Sequence, residues 1–226
     1  MEFSANKLSK WAANIDQYFI SSQHEDNSAN NTKFFKAYLD TIADILTEIA
    51  HNTTPNDHWE LFRMGDILEI RSKKLQYGVR FYTWLNIEFN IETALLFPQH
   101  ISHMPDEFWK YILELNEYGK FVFEENSIPD RPSCLSLKAP KKVKSNLFRL
   151  ARHCILFAAQ QSENDIDVED IYEDFGSIQV SWPLNIKMED LLNNIFEVFK
   201  RFYQINYMLY RYEYILNHSK HKNGSI

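Results

Sequence analysis

The final third of the chain contains the stretch NIKMEDLLNNIFEVFKRFYQINYMLYRYEYILN, residues 185–217, which has no glycine or proline. Its apolar residues recur at steps of three and four, the spacing that places side chains on one face of a helix. A helix of about 30 residues is on the order of 45 Å long, so several other elements or a second chain must cover it. The apolar stripe and the single asparagine within it comprise Met188, Leu191, Leu192, Ile195, Val198, Phe199, Phe202, Ile205, Asn206, Leu209 and Leu216.

The preceding residues predict further helices and short strands. Helical spacing of apolar residues indicates the helices, and alternation bounded by turn residues indicates the strands. We expect residues 91–97 to be helical or irregular. The predicted helices are 4–19, 32–51, 105–118, 143–161 and 167–176, and the predicted strands are 59–64, 67–73, 79–89, 121–125, 134–138 and 177–182.

This order of elements predicts an α+β fold. We expect a mainly antiparallel sheet, built from a three-strand meander and about three further strands, with helices on one face and the long helix at the C-terminus. Residues 21–31 contain no apolar side chain larger than alanine, which is typical of a linker. We therefore expect residues 1–31 to be an N-terminal helix and flexible linker, 32–218 a single domain, and 219–226 a disordered tail.

The composition excludes several classes of protein. Hydrophobic residues make up 45% and charged residues 24%, which is ordinary for a globular chain. The net charge of −7 argues against general nucleic-acid binding, which needs a basic face. Cys134 and Cys154 show no metal or redox spacing, and no apolar run is long enough for a signal peptide or membrane span. We expect an acidic cytoplasmic protein that does not enter a membrane.

The ring-rich end of the long helix suggests a surface for another protein. Tyrosine buries a large area at low entropic cost, and one polar residue in a helical seam can fix register and oligomeric state. We expect a non-enzymatic binding subunit of the chaperone, immunity or adaptor type, which also self-associates. The predicted contact residues are Phe199, Phe202, Asn206, Tyr207, Leu209 and Tyr210 on the helix, with Tyr82 and Trp84 on the polar face of a strand.

A basic patch precedes an acidic run at residues 163–174. The two segments either neutralise each other within the fold, or one of them meets a charged partner. The patch is also the one place where nucleic acid would be expected to bind. It consists of Lys141, Lys142, Lys144, Arg149 and Arg152.

Two spacings leave a nuclease activity open as an alternative. Arg211 and His218 have an Arg-x6-His spacing that is similar to the motif of the HEPN ribonucleases. This resemblance implies RNA cleavage without a metal ion. The strand-rich middle of the chain departs from that all-helical family. A divergent metal-dependent nuclease would use Asp57 or Asp66 with Glu69, but Arg71 stands where a lysine is expected.

Metal and cofactor sites are not expected. His100 and His103 have no second pair of ligands at zinc spacing. The acidic run fails the calcium-loop template, because Asp170 occupies the position that needs glycine and Gly176 the position that needs glutamate.

Overall fold

A computed structural model describes residues 4–22, 28–72, 75–84, 88–124, 146–151 and 176–223. The predicted strand at 134–138 lies outside these residues, as does the predicted helix at 167–176 except for Gly176. The predicted helix at 143–161 is described only over residues 146–151, which are helical.

Four longer helices are described: α1 (Ala5–Ser22), α2 (Ser28–Thr53), α3 (Asp106–Tyr118) and α4 (Met188–Asn223). A 3₁₀ helix covers Pro98–His103. α2 begins at Ser28, within the segment expected to be a linker, and α4 runs to Asn223, into the segment expected to be a disordered tail. The 36 residues of α4 correspond to a length of about 54 Å.

Within the described residues, six strands form one antiparallel sheet, which confirms the predicted α+β class. They are β1 (Trp59–Met64), β2 (Ile67–Ser72), β3 (Leu75–Trp84), β4 (Glu88–Ala94), β5 (Lys120–Glu124) and β6 (Ser177–Pro183). Their order across the sheet is β1-β2-β3-β4-β6-β5, so β1 and β5 are the outer strands.

The meander has four strands where three were expected. The predicted strand at 79–89 divides into β3 and β4, and Thr83 pairs with Phe89 across the two. Residues 85–87, which join them, contain no glycine or proline, so the sequence carries no turn signal there. β4 also takes up Ile91–Ala94, part of the segment that was expected to be helical or irregular.

α1 and α4 pack on one face of the sheet, where alternate strand residues are apolar. Phe19 of α1 contacts Phe89 of β4 with ring centroids 5.7 Å apart, and Phe199 of α4 contacts Trp59 of β1 at 5.5 Å. This face carries the buried residues Leu68, Ile70, Val79, Phe81, Phe89, Ile91, Ile178 and Val180.

The opposite face of the sheet is polar and partly buried. Glu69, Asn90, Gln179 and Ser181 are all less than a tenth exposed. The register places Asn90 beside Ser181. Polar residues therefore pair across the strands on this face, whereas the other face carries the apolar core.

α1 packs against α2. Trp11 and Ile15 are buried, and Asn14 Nδ2 donates a hydrogen bond to Thr41 Oγ1 at 2.9 Å. Through these contacts α1 packs on the body of the protein.

Asn206 connects α4 to the end of β4. The side chain is 2% exposed, its Oδ1 accepts a hydrogen bond from Leu96 N–H at 2.9 Å, and its Nδ2 donates to Thr93 Oγ1 at 3.2 Å. Thr93 Oγ1 in turn donates to the carbonyl of Gly78 at 3.0 Å. These bonds are directional and buried, so they fix the position of the helix along the sheet.

We predict that Asn206→Leu lowers the free energy of unfolding by about 2 to 4 kcal/mol, because it leaves the buried Leu96 N–H without its acceptor and removes the donor to the Thr93 hydroxyl. Urea denaturation of the two proteins measures the difference. Asn217→Leu, at an exposed position of the same helix, is the control and should change stability by less than about 0.5 kcal/mol. Equal stability of wild type and Asn206→Leu would contradict this role.

Candidate interaction surface on the C-terminal helix

The apolar stripe of α4 belongs to the core of the chain itself. Phe199, Phe202 and Leu209 are fully buried and Asn206 is 2% exposed. These four residues were expected to contact a partner. In this fold their side chains contact the chain's own sheet and helices, so a partner can reach α4 only on its other side.

Polar contacts fix α4 on its flanks as well. Arg201 Nε donates to Glu114 Oε2 at 3.1 Å, and its Nη2 donates to Tyr118 OH at 2.7 Å, which ties α4 to α3. The carboxylate of Glu213 accepts a hydrogen bond from Nε2 of His100 in the 3₁₀ helix. These contacts, with those of Asn206, determine which side of α4 faces solvent.

Tyr203 joins α4 to the loop between α2 and β1. Its hydroxyl lies 3.3 Å from Asp57 Oδ2, which also accepts a 2.6 Å hydrogen bond from Ser72 Oγ. Burial, with the neighbouring Asp57 charge, raises the pKa of Tyr203 to about 12. The hydroxyl therefore stays protonated at neutral pH and remains a hydrogen-bond donor to Asp57.

The solvent side of α4 carries a second set of residues at heptad spacing, which we call the outward stripe. All its members are exposed, including Tyr207 at 36% and Tyr214 at 52%, and Ile215 beside them is 51% exposed. Apolar rings at regular spacing on a solvent-facing helix are typical of a contact surface. The outward stripe consists of Glu189, Asn193, Lys200, Tyr207, Arg211, Tyr214 and His218.

Charge is unevenly distributed along the outward stripe. Its one carboxylate, Glu189, lies in the first turn of α4, and its cationic residues Lys200 and Arg211 lie further on. Two other carboxylates of the helix take part in internal pairs: Glu197 with Arg201, and Glu213 with His100. The outward stripe thus has its carboxylate at the start and its two cationic residues, Lys200 and Arg211, further along.

Aromatic contacts hold the side chains of two members of the outward stripe, Tyr207 and His218. The Tyr207 ring stacks on buried Tyr203, with centroids 6.0 Å apart and an interplanar angle of 7°. The His218 ring lies 3.8 Å from the Tyr214 ring, and its Nδ1 is 2.8 Å from the Tyr214 carbonyl. Because a carbonyl only accepts, Nδ1 carries the proton in this contact, and Nε2 is the nitrogen able to accept one.

The structure places the two predicted ribonuclease residues on this same side of α4. Arg211 and His218 are both exposed members of the outward stripe. They are seven residues apart, which is close to two helical turns. Their spacing is equally that of a contact stripe.

The remaining predicted contact residues are either half-buried or outside the described part of the structure. Tyr210 is half-buried. Tyr82 and Trp84 belong to β3, but their side chains lie outside the described part of the structure. Of the basic patch only Arg149 is described; it is half-buried, while Lys141, Lys142, Lys144 and Arg152 lie outside the described residues.

The residues considered for a metal-dependent nuclease are not brought together. Glu69 binds Arg71 and also accepts a hydrogen bond from Arg80 Nε at 2.9 Å, on the polar face of the sheet. Asp57 instead binds Ser72 and Tyr203 on the helix side. The exposed Asp66 lies in the turn after β1.

Glu69 is a buried carboxylate held by two cations. Burial alone would raise its pKa, but hydrogen bonds and charges from Arg71 and Arg80 outweigh that effect and hold the pKa below its ordinary value. A Cβ at Gly78 would lie 2.6 Å from Glu69 Cγ, so only glycine leaves room for this side chain. The group is a structural ion pair across β2 and β3.

The two histidines considered for zinc contact aromatic and acidic residues instead. His100 binds Glu213, and the His103 ring stacks on Tyr212 with centroids 5.7 Å apart. Among the described residues, no group of three or more His, Cys, Asp or Glu side chains is arranged to hold a metal ion. Nor does any helix in the described ranges have the length and apolar content needed to cross a membrane.

Sequence reasoning missed three members of the outward stripe: Glu189, Asn193 and Lys200. The available signal was their spacing of four and seven from one another, which continues to Tyr207 and Tyr214. The larger apolar stripe on the other side of the helix dominated the periodicity.

Comparison of the chain with protein-family models, with curated proteins and with solved structures finds no match.

The lowered pKa of Glu69 predicts a pH dependence of stability. A depressed carboxylate contributes stability that is present above its unfolded pKa and is lost as pH falls through its folded pKa. Since the ordinary value is 4.5, the loss should begin near that pH and continue below it. Glu69→Gln should be less stable than wild type by about 1 kcal/mol at pH 7, a value reduced because both arginines are about 40% exposed.

Denaturant unfolding of wild type and Glu69→Gln from pH 7 to pH 3 tests this, with the exposed Glu117→Gln as control. The difference between wild type and Glu69→Gln should narrow as pH falls. A difference that stays constant, or that widens at low pH, would show that the ion pair does not lower the pKa of Glu69.

Proposed function

We propose that the chain is a non-enzymatic protein-binding subunit of the chaperone, immunity or adaptor type, and that its contact surface is the outward stripe of α4. The observation that supports this most is the exposure of Tyr207, Tyr214 and Ile215. Exposed rings and an aliphatic side chain at regular spacing along a fixed helix leave apolar area in water, and a partner that covered them would gain the free energy of burying it.

The fixed position of the helix also supports this proposal. Asn206, Arg201 and Glu213 are held by three different elements. A surface that is already ordered loses less conformational entropy when it binds. Tyrosine reduces this entropy loss further, because binding fixes only two of its side-chain torsions.

The alternative is a ribonuclease that uses Arg211 and His218. Its support is that the two side chains are exposed on one side of α4, with His218 Nε2 able to accept a proton. RNA cleavage by the wild type that is lost in His218→Ala would favour this alternative. The binding proposal expects no cleavage by either protein.

The binding proposal predicts that Tyr207→Ser combined with Tyr214→Ser abolishes partner capture without unfolding the chain. Exposed substitutions of this kind change stability by about 0.5 kcal/mol or less. The measurement is affinity capture from the source proteome, with proteins identified by mass spectrometry and each variant's unfolding curve recorded in parallel.

Two further variants serve as controls. Leu113→Ser removes an equally exposed apolar side chain from α3 and should capture the same partner as wild type. Phe202→Ala removes a buried ring and should cost about 3 to 5 kcal/mol, so its loss of capture would follow unfolding. Partner capture that is unaffected by the double tyrosine variant would contradict the assignment of the outward stripe.

A further inference from the structure

We propose that the outward stripe of α4 binds a second copy of this chain, with the two α4 helices antiparallel across a two-fold axis. This inference rests on the proposed function, since it names the partner for the same surface. It is carried by two independent properties of the outward stripe: the order of its charges and the symmetry of its spacing.

The order of charges favours an antiparallel pair. Glu189 stands at the beginning of the outward stripe, whereas Lys200, Arg211 and His218 follow it. In an antiparallel arrangement the acidic end of each helix meets the basic end of the other. A parallel arrangement would instead place Lys200 beside Lys200 and Arg211 beside Arg211, and like charges in contact oppose association.

Six of the seven members of the outward stripe have a spacing that is the same in both directions along the helix. With Arg211 set aside, the members of the outward stripe follow Glu189 at steps of four, seven, seven, seven and four, through Asn193, Lys200, Tyr207 and Tyr214 to His218. A two-fold axis requires that the same surface match its own reversal. These six positions satisfy the requirement, whereas Arg211 has no counterpart within the outward stripe.

This symmetry fixes the register. When Lys200 lies opposite Tyr207 of the second copy, Asn193 lies opposite Tyr214 and Glu189 opposite His218. The first pair places an ammonium group beside an aromatic ring, and the last places a carboxylate beside an imidazole. The remaining member, Arg211, then lies opposite the half-buried Phe196, again a cation beside a ring.

Within the described part of the chain, the side of α4 that carries the outward stripe is exposed. α3 contacts α4 through Arg201, and the 3₁₀ helix contacts it through Glu213, neither of which belongs to the outward stripe. From Glu189 to His218 the stripe is about 45 Å long. That length offers a continuous surface for a second helix.

The first experiment is sedimentation equilibrium of the full chain. We expect a mass twice the 26.9 kDa of the single chain. Glu189→Lys alone and His218→Glu alone should each weaken dimerisation at least tenfold, because the first removes the carboxylate that faces the imidazole and the second places two carboxylates together. The combined Glu189→Lys/His218→Glu variant should restore the affinity to within about threefold of wild type. Lys110→Glu, an exposed charge change on α3, should leave dimerisation unchanged.

The second experiment tests the register by disulfide formation, in a chain whose Cys134 and Cys154 are replaced by serine. Lys200→Cys combined with Tyr207→Cys should oxidise to a covalent dimer. Lys200→Cys combined with His218→Cys should not, because those positions do not face each other in the proposed register.

A chain that sediments as a monomer and forms no disulfide overturns the dimer. The antiparallel register is overturned if the Glu189→Lys/His218→Glu variant does not regain dimer affinity. It is also overturned if both cysteine pairs form the covalent dimer equally well. If a monomeric chain still captures a different protein through Tyr207 and Tyr214, the dimer is wrong and the proposed function stands. Binding of an RNA oligonucleotide alone through these tyrosines would overturn both.

Discussion

The buried hydrogen bonds of Asn206 are the constraint on which the rest of the structure depends. A helix of 36 residues whose apolar stripe packs on an apolar sheet face can exchange similar contacts by sliding one turn, because hydrophobic contact is non-directional. Hydrogen bonds to Leu96 N–H and Thr93 Oγ1 remove that freedom, since they have one geometry and breaking them leaves buried polar groups unpaired. Further hydrogen bonds hold the helix at other positions along its length, through Arg201, Tyr203 and Glu213.

Fixing the helix in this way also defines its surface. With Phe199, Phe202 and Leu209 inside the domain, the side of α4 that faces water is determined, and it carries tyrosines and charges at heptad spacing. The same helix therefore has two stripes with different roles. The inward stripe, which is the apolar stripe that includes Phe199, Phe202 and Leu209, fills part of the core. The outward stripe is the one open to a partner.

The sequence was sufficient to predict the class of fold and the existence of this helix, because both follow from local periodicity. The inward stripe, α3 and the strands near residues 59–72 and 177–182 were each indicated by spacing and by turn residues. The division of residues 79–89 into β3 and β4 was not, because Leu85, Asn86 and Ile87 give no turn signal.

The site was harder to predict than the fold. Periodicity identifies which residues share a face, but it does not identify what covers that face. The sequence singled out Asn206 as a polar residue in an apolar seam, yet its partners Thr93 and Leu96 are more than 100 residues away along the chain. Without that long-range contact, a buried core stripe and an intermolecular interface have the same pattern of rings. The sequence did indicate Tyr207 and Arg211, which the structure places together on the solvent side.

The most direct test of the account is amide hydrogen exchange along α4, measured at a concentration where the chain sediments as a monomer. If the inward stripe is part of the chain's own core, amides of residues 195–209 should exchange only through global unfolding, and those near the exposed end at 216–223 should exchange far faster. Rapid exchange of residues 195–209 in the monomer would contradict the account, because it would show that this stripe is ordered only when a second chain covers it.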